Sequence, residues 1–161
     1  MYVSLPPLFL HDSYLVSLVV LGRPGSGCTT LLKTLANQRG EYHSFHGEVH
    51  YDSLSPAEVA KHHLGDTIFC PEDDVHFPTL TVEQTISFAA KLRAPHLRLG
   101  HSRDQYADAV TDLLTTIFGL KECRKTLVGD AAIRGVSGGQ KKRVSIAEVL
   151  AARACIASWD K

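Results

Sequence analysis

The sequence predicts an α/β layered domain with a mostly parallel sheet. Three observations predict it: short apolar runs of strand length, helix starts marked by capping boxes, and their alternation around a helical block. The first apolar run, Leu15 to Leu21, is interrupted only by Ser17 and reads as a buried strand. A glycine-rich turn follows, then a helix from about Thr29 to Asn37 with Leu31, Leu32, Leu35 and Ala36 as its apolar stripe. A strand is expected near Gly47 to Tyr51. Ser55-Pro56-Ala57-Glu58 is a capping box with proline at the first helical position, so a short helix begins there. Thr67 to Cys70 reads as a brief strand.

The helical block opens at the capping box Thr81-Val82-Glu83-Gln84 and runs to about Ala94, where Pro95 stops the helix. Ser102-Arg103-Asp104-Gln105 opens the next helix, with Tyr106, Ala109, Val110, Leu113, Leu114 and Ile117 as its expected stripe and Gly119 as its C-cap. The last helix starts after Ser137, turning Val144, Ala147, Leu150 and Ala151 inward. Ala154 to Trp159 then reads as a buried strand ending at Asp160.

Composition narrows the functions. A chain of 161 residues fits one domain with a real core. Its hydrophobic fraction of 44% and charged fraction of 21% are ordinary for a soluble globular protein. Lys plus Arg is 17 and Asp plus Glu is 17, so no net charge steers it to nucleic acid or an anionic membrane surface. No apolar run is long enough to cross a bilayer, so the chain itself is expected to be soluble. The opening segment, Met1 to Leu10, lacks a basic residue before its apolar part and reads poorly as a secretory signal. Cys28, Cys70, Cys123 and Cys155 show no close pairing and suit free thiols in a reducing cytosol. The histidines are scattered, and no set of His, Cys and carboxylates has metal-ligand spacing.

Function must therefore lie in local sites, and two glycine-rich helix starts stand out. Gly22-Arg23-Pro24-Gly25-Ser26-Gly27-Cys28-Thr29 follows an apolar run and opens a helix, and Gly22 and Gly27 have phosphate-loop spacing. Such a loop turns several N–H groups toward phosphate oxygens at the positive end of a helix. Thr29 stands where a hydroxyl would ligand Mg²⁺. Cys28 stands where the pattern demands lysine. Losing that charged hydrogen bond, about 1.5–3 kcal/mol, weakens nucleotide binding roughly ten- to a hundredfold. Lys33, five residues on, is a poor substitute.

The second start is Gly135-Val136-Ser137-Gly138-Gly139-Gln140-Lys141-Lys142-Arg143. Ser137 is its N-cap, and two glycines leave backbone N–H groups open to a bulky anion. Asp160, at the end of an apolar strand, would hold Mg²⁺ opposite Thr29. Lys161 occupies the next position, where a carboxylate would position water, and it offers no acceptor lone pair. Losing a general base costs about 10²–10⁴ in rate. Taken singly, the loop also fits a plain glycine-rich turn, Ser137 a simple N-cap before a solvated basic face, and Asp160 a surface acid. Their order in one chain favours the phosphate reading.

With these residues in place, the sequence from about Val16 to Lys161 resembles the first nucleotide-binding domain of fungal pleiotropic-drug-resistance (ABCG-like) ABC transporters. Leu21 to Thr30 resembles that subfamily's degenerate Walker A motif, with cysteine for lysine. Gly135 to Glu148 is similar to its signature motif. Glu72, within Pro71 to Pro78, falls at the Q-loop position, and Trp159-Asp160 is similar to the end of Walker B, where lysine departs from the usual asparagine.

The resemblance implies an ABC-type P-loop NTPase domain, a mostly parallel sheet with a helical subdomain at about residues 81–135. Residues 15–161 are expected to be a partial nucleotide-binding domain, incomplete at both ends, with 1–14 unassigned. It implies ATP and Mg²⁺ as cofactors. Gly22, Arg23, Pro24, Gly25, Ser26, Gly27, Cys28, Thr29 and Thr30 would contact ATP, with Glu72 at the Q-loop and Thr29 and Asp160 on the metal. Ser137, Gly138, Gly139 and Gln140 would face the competent site of a second cassette. The implied partners are that cassette and transmembrane domains, at the cytoplasmic face of a membrane, the plasma membrane by resemblance. The ATPase class follows from the family, but with Lys161 at the base position the isolated chain is expected to bind ATP with negligible hydrolysis. The family's D-loop and switch histidine would lie beyond Lys161, so a fragment or truncated product of a larger transporter is expected. The other readings are a non-catalytic fragment that docks on an intact cassette and a truncated relic.

Overall fold

The computed structural model describes residues 17–160 apart from Glu41, Phe45 and Leu99. Two compact units divide the chain between Leu64 and Gly65.

In the first unit, α1 spans Cys28–Leu35 and α2 spans Pro56–His62. α1 stops where Asn37 turns left-handed at φ 61°. Asn37 N–H then donates to Thr34 O at 3.1 Å and Gln38 N–H to Lys33 O at 2.8 Å, so two terminal carbonyls are satisfied by a Schellman turn. Asn37 Nδ2 also donates to the Pro56 carbonyl at 2.9 Å, and the Tyr51 hydroxyl donates to the Leu35 carbonyl at 3.0 Å. The first ties the end of α1 to the start of α2, and the second ties it to the Tyr51–Leu54 turn. The α2 capping box forms as expected, with Ser55 N–H donating to Glu58 Oε2 at 2.8 Å.

Two expected strands do not form here. Residues 17–21 have no regular structure, and Leu18, Val19 and Leu21 are exposed; Leu15 and Val16 lie outside the described residues. An apolar run becomes a strand only when its amides find a ladder, and residues 17–21 bond to no ladder among the described residues. Near Gly47 to Tyr51 the chain instead makes a tight reversal. Tyr51 and Leu54 exchange two backbone bonds of 3.0 Å around Asp52, whose φ is 57°.

The second unit holds β1 (Thr67–Cys70), α3 (Val82–Leu92), α4 (Arg103–Ile117), α5 (Gly138–Ala151) and β2 (Ile156–Trp159). β1 and β2 pair in parallel, Thr67 beside Ile156 and Cys70 beside Trp159. The core gathers Val82, Ile86 and Ala90 of α3, Ala107 and Leu114 of α4, Val144, Ala147 and Ala151 of α5, and Leu120 and Val128 from the segment between. Each large aliphatic side chain so buried contributes about 1.5–3 kcal/mol, and the alanines let the helices approach. The 120–128 segment also caps α3: Glu83 N–H donates to Arg124 O and Val82 N–H to Thr126 O.

Two helix faces differ from expectation. In α4 the inward residues are Ala107, Thr111, Leu114 and Thr115, while Ala109, Leu113 and Ile117 face solvent. Threonine can be buried there because Thr111 Oγ1 donates to Ala107 O at 2.7 Å and Thr115 Oγ1 to Thr111 O at 2.8 Å. The helix closes as expected at Gly119, φ 61°, with Leu120 N–H donating to Thr115 O. In α5, Val144, Ala147 and Ala151 point inward, but Leu150 is exposed and Ser145 and Val149 are buried instead.

Candidate functional site

The phosphate-type loop lies in the first unit. Ser26 N–H donates to Arg23 O at 2.9 Å, closing a turn that Gly25 at φ 79° and Gly27 at φ 93° complete. An L side chain strains at either angle, so the glycines are required by the turn. Gly27 is the N-cap of α1 and offers no side chain, and Leu31 N–H makes the first helical bond, to Gly27 O at 2.9 Å. The N–H groups of Cys28, Thr29 and Thr30 have no acceptor among the described residues. Three unsatisfied amides at the positive end of a helix fit a phosphate group.

The cysteine in this loop folds back. Cys28 Sγ lies 3.4 Å from Ser26 Oγ, and a Cβ on Gly22 would meet that sulfur at 2.7 Å and the Ser26 hydroxyl closer still. A side chain at Gly22 would therefore have to displace both the Ser26 hydroxyl and the Cys28 thiol. The thiol ends inside the turn, whereas a lysine would extend beyond it.

The second helix start is built differently. Ser137 Oγ accepts from Gln140 N–H at 3.3 Å, and Gln140 Oε1 accepts from Ser137 N–H at 2.9 Å. Gln140 thus acts here as the capping partner. Gly138 and Gly139 have no acceptor for their N–H groups among the described residues, and a Cβ on either would meet nothing within 4 Å. Space in front of α5 is open.

The basic run after it is not a solvated face. Lys141 Nζ donates to Gly129 O at 3.0 Å, Lys142 Nζ to Glu72 O at 2.9 Å, and an Arg143 guanidinium N–H to Phe118 O at 2.8 Å. Three consecutive cations anchor α5 to three segments, a role the sequence carries no local sign of. The loop leading in is equally fixed. Asp130 Oδ1 accepts from Ile133 N–H at 2.7 Å and Ala132 N–H at 2.8 Å. Those backbone bonds, first to Ile133 and then to Ala132, hold its carboxyl below the ordinary aspartate value, with the Lys141 charge adding to them.

A depressed acid contributes stability above its unfolded value and loses it as pH falls through the folded one. The stability difference between the native chain and Asp130→Ala is therefore expected to be full near neutrality and to shrink below the ordinary aspartate range. Acid titration of both proteins checks this; a difference independent of pH would contradict it.

At the sheet, Asp160 N–H donates to Cys70 O at 2.9 Å, extending the parallel ladder by one residue. Parallel pairing brings both strands out at the same edge, where ligands of α/β sheets characteristically bind. Pro71-Glu72 and Asp160 thus leave the sheet side by side, Glu72 exposed and Asp160 half-buried. Through Lys142 the same edge is tied to α5. The unit brings together Glu72, Asp160 and α5, while Gly22 to Thr30 belong to the other unit; Lys161 lies outside the described residues. A groove of about 300 Å³, lined by Cys70, His76, Phe88 and Ser145 among others, includes none of the expected ATP contacts. Among the described residues, no group of three or more His, Cys, Asp and Glu is placed to hold a metal ion. No described helix is long and apolar enough to cross a membrane.

The ABC transporter family model matches residues 16–161. The chain is 50% identical over 144 residues to the ABC transporter CDR4 of Candida albicans, covering 88% of this chain and 10% of that protein. It is 46% identical over 144 residues to the ATP-dependent permease PDR12 of Saccharomyces cerevisiae, covering 89% and 10%, and 49% identical over 148 residues to the ABC-type transporter eriD of Hericium erinaceus, again 89% and 10%. The chain spans about a tenth of the length of these relatives. The helices and parallel strand pair described above are those of a P-loop NTPase fold, and domains of this family bind ATP, typically with Mg²⁺. This chain belongs to the ABC transporter family.

Proposed function

We propose that residues 15–161 form part of an ATP-binding cassette that holds nucleotide without hydrolysing it and serves membrane export within a larger transporter. The helical subdomain is assigned to about residues 81–135. The observation that carries the reading is the run of three acceptor-less amides, Cys28 to Thr30, behind two left-handed glycines. Gly22 to Thr30 would hold the phosphates, and Thr29 and Asp160 would serve the Mg²⁺. Glu72 takes the Q-loop position. Cys28 supplies no charge, and Lys161 no base.

Ser137 to Gln140 would serve a second cassette. The open space before Gly138 and Gly139 and the formed capping box support a surface ready to receive a partner's nucleotide. ATP there would supply phosphate charge that both helix starts can hold. The partners are that second cassette and transmembrane domains, at the cytoplasmic face of a membrane. Neither nucleic acid nor a membrane span of this chain's own has a part.

Titration of the purified chain with Mg-ATP tests the proposal. Binding is expected, steady turnover is expected to stay at background, and Thr29→Ala is expected to weaken binding about tenfold, the equivalent of about 1.4 kcal/mol. Turnover well above background that Thr29→Ala abolishes would overturn the non-hydrolysing assignment. Absence of binding would favour a fragment that docks through Ser137 to Gln140 alone.

A further inference from the structure

Residues 71–78, which follow β1, make several polar contacts with α5. Lys142, Ser145 and Glu148 recur at intervals of three on α5, so one face presents a cation, a hydroxyl and a carboxylate in succession. Lys142 Nζ donates to Glu72 O at 2.9 Å and lies 3.5 Å from Asp74 Oδ1. Ser145 Oγ donates to Asp74 Oδ1 at 2.5 Å. His76 Nε2 shares that hydroxyl at 2.8 Å, and His76 Nδ1 lies 3.2 Å from Glu148 Oε2. The His76 side chain is 2% exposed and Ser145 is 7% exposed.

Burying an imidazole and a hydroxyl costs free energy unless both are partnered, and aliphatic side chains would fill the same space without that risk. What the polar groups add is direction. Each bond crosses from the loop to the helix, so a slip of α5 along the loop would break the His76, Asp74 and Lys142 contacts together.

The geometry points to a latch: His76 and Ser145 are positioning residues that lock the Glu72 segment to the signature helix in one register. Ser137 and Gly138 lie about two helical turns before Ser145 on the same rigid element. A displacement at Glu72 is therefore transmitted to the signature start. This role rests on the proposed reading of Glu72 and Ser137 to Gln140 as parts of the nucleotide machinery.

The test compares Ser145→Val with Ser145→Thr in the full chain, because the two have the same shape and differ by the hydroxyl. Amide hydrogen exchange without nucleotide reads the latch. Ser145→Val is expected to speed exchange about tenfold at residues 72–76 and 137–140 together, and Ser145→Thr to stay within about twofold of the native chain. His76→Phe, which keeps a buried ring without its nitrogens, is expected to match Ser145→Val, and the double variant to add little to either. Equal behaviour of Ser145→Thr and Ser145→Val, or a change in one segment without the other, would overturn the latch. Mg-ATP titration of the native chain is the separate arm: if it shows no binding, the nucleotide reading fails while the exchange data still decide the latch.

Discussion

A Cys28→Lys chain is expected to bind Mg-ATP about ten- to a hundredfold more tightly than the native protein. The backbone of the loop is already formed: Gly25 and Gly27 hold the turn, and the amides of Cys28, Thr29 and Thr30 await an acceptor. What position 28 lacks is a charge. The thiol of Cys28 is folded against Ser26 and Gly22, within the turn, and carries no donor comparable to an ammonium. A lysine from the same Cα reaches past the turn to where the terminal phosphates would lie, and one charge-assisted hydrogen bond accounts for the gain. Cys28→Ser, equally small and neutral, is expected to change affinity little. Turnover is expected to remain at background in all three, because the change restores a binding charge and supplies no base. Calorimetric titration of the three chains checks the series. Equal affinities for Cys28→Lys and the native chain would mean that nucleotide does not sit on this loop.

Gly135→Ala is expected to cost about 3 kcal/mol or more and to lower the melting temperature of its unit by roughly 12–24 °C. A Cβ on Gly135 would lie 2.5 Å from the Val128 carbonyl carbon and 2.6 Å from Gly129 Cα, with the Val128 oxygen nearer still. These are backbone atoms, so no side-chain rotation relieves the overlap. The neck between residues 128 and 135 must open, and with it go the bond from Val136 N–H to Leu127 O and the turn from Asp130 N–H to Ile133 O.

The two glycines just beyond are expected to behave in the opposite sense. A Cβ on Gly138 or Gly139 meets nothing within 4 Å, and alanine is favoured over glycine in a helix by up to about 1 kcal/mol. Gly138→Ala and Gly139→Ala should therefore leave stability unchanged or raised, while filling the space that the proposed partner's nucleotide would enter. Thermal melts of the three single variants separate a glycine kept for packing from glycines kept for access. Equal stability of Gly135→Ala and the native chain would remove the steric argument.

What the sequence determined by itself was local. The capping boxes at Ser55, Thr81 and Ser102 all form, because each pairs groups three residues apart and needs nothing from the rest of the chain. The same holds for the left-handed Gly119 that ends α4 and for the glycines that shape the loop before α1. Only the tertiary structure decided the remainder. Whether an apolar run becomes a strand depends on a distant partner: Thr67 to Cys70 finds Ile156 to Trp159, whereas residues 17–21 bond to no ladder among the described residues. Which face of α4 turns inward depends on what α3 presents, so buried threonines that bond to their own helix displaced the leucine and isoleucine that hydrophobicity favours. The anchoring of Lys141 to Arg143 and the His76–Ser145 contact join residues far apart in sequence, and only folding brings such donors and acceptors within bonding distance.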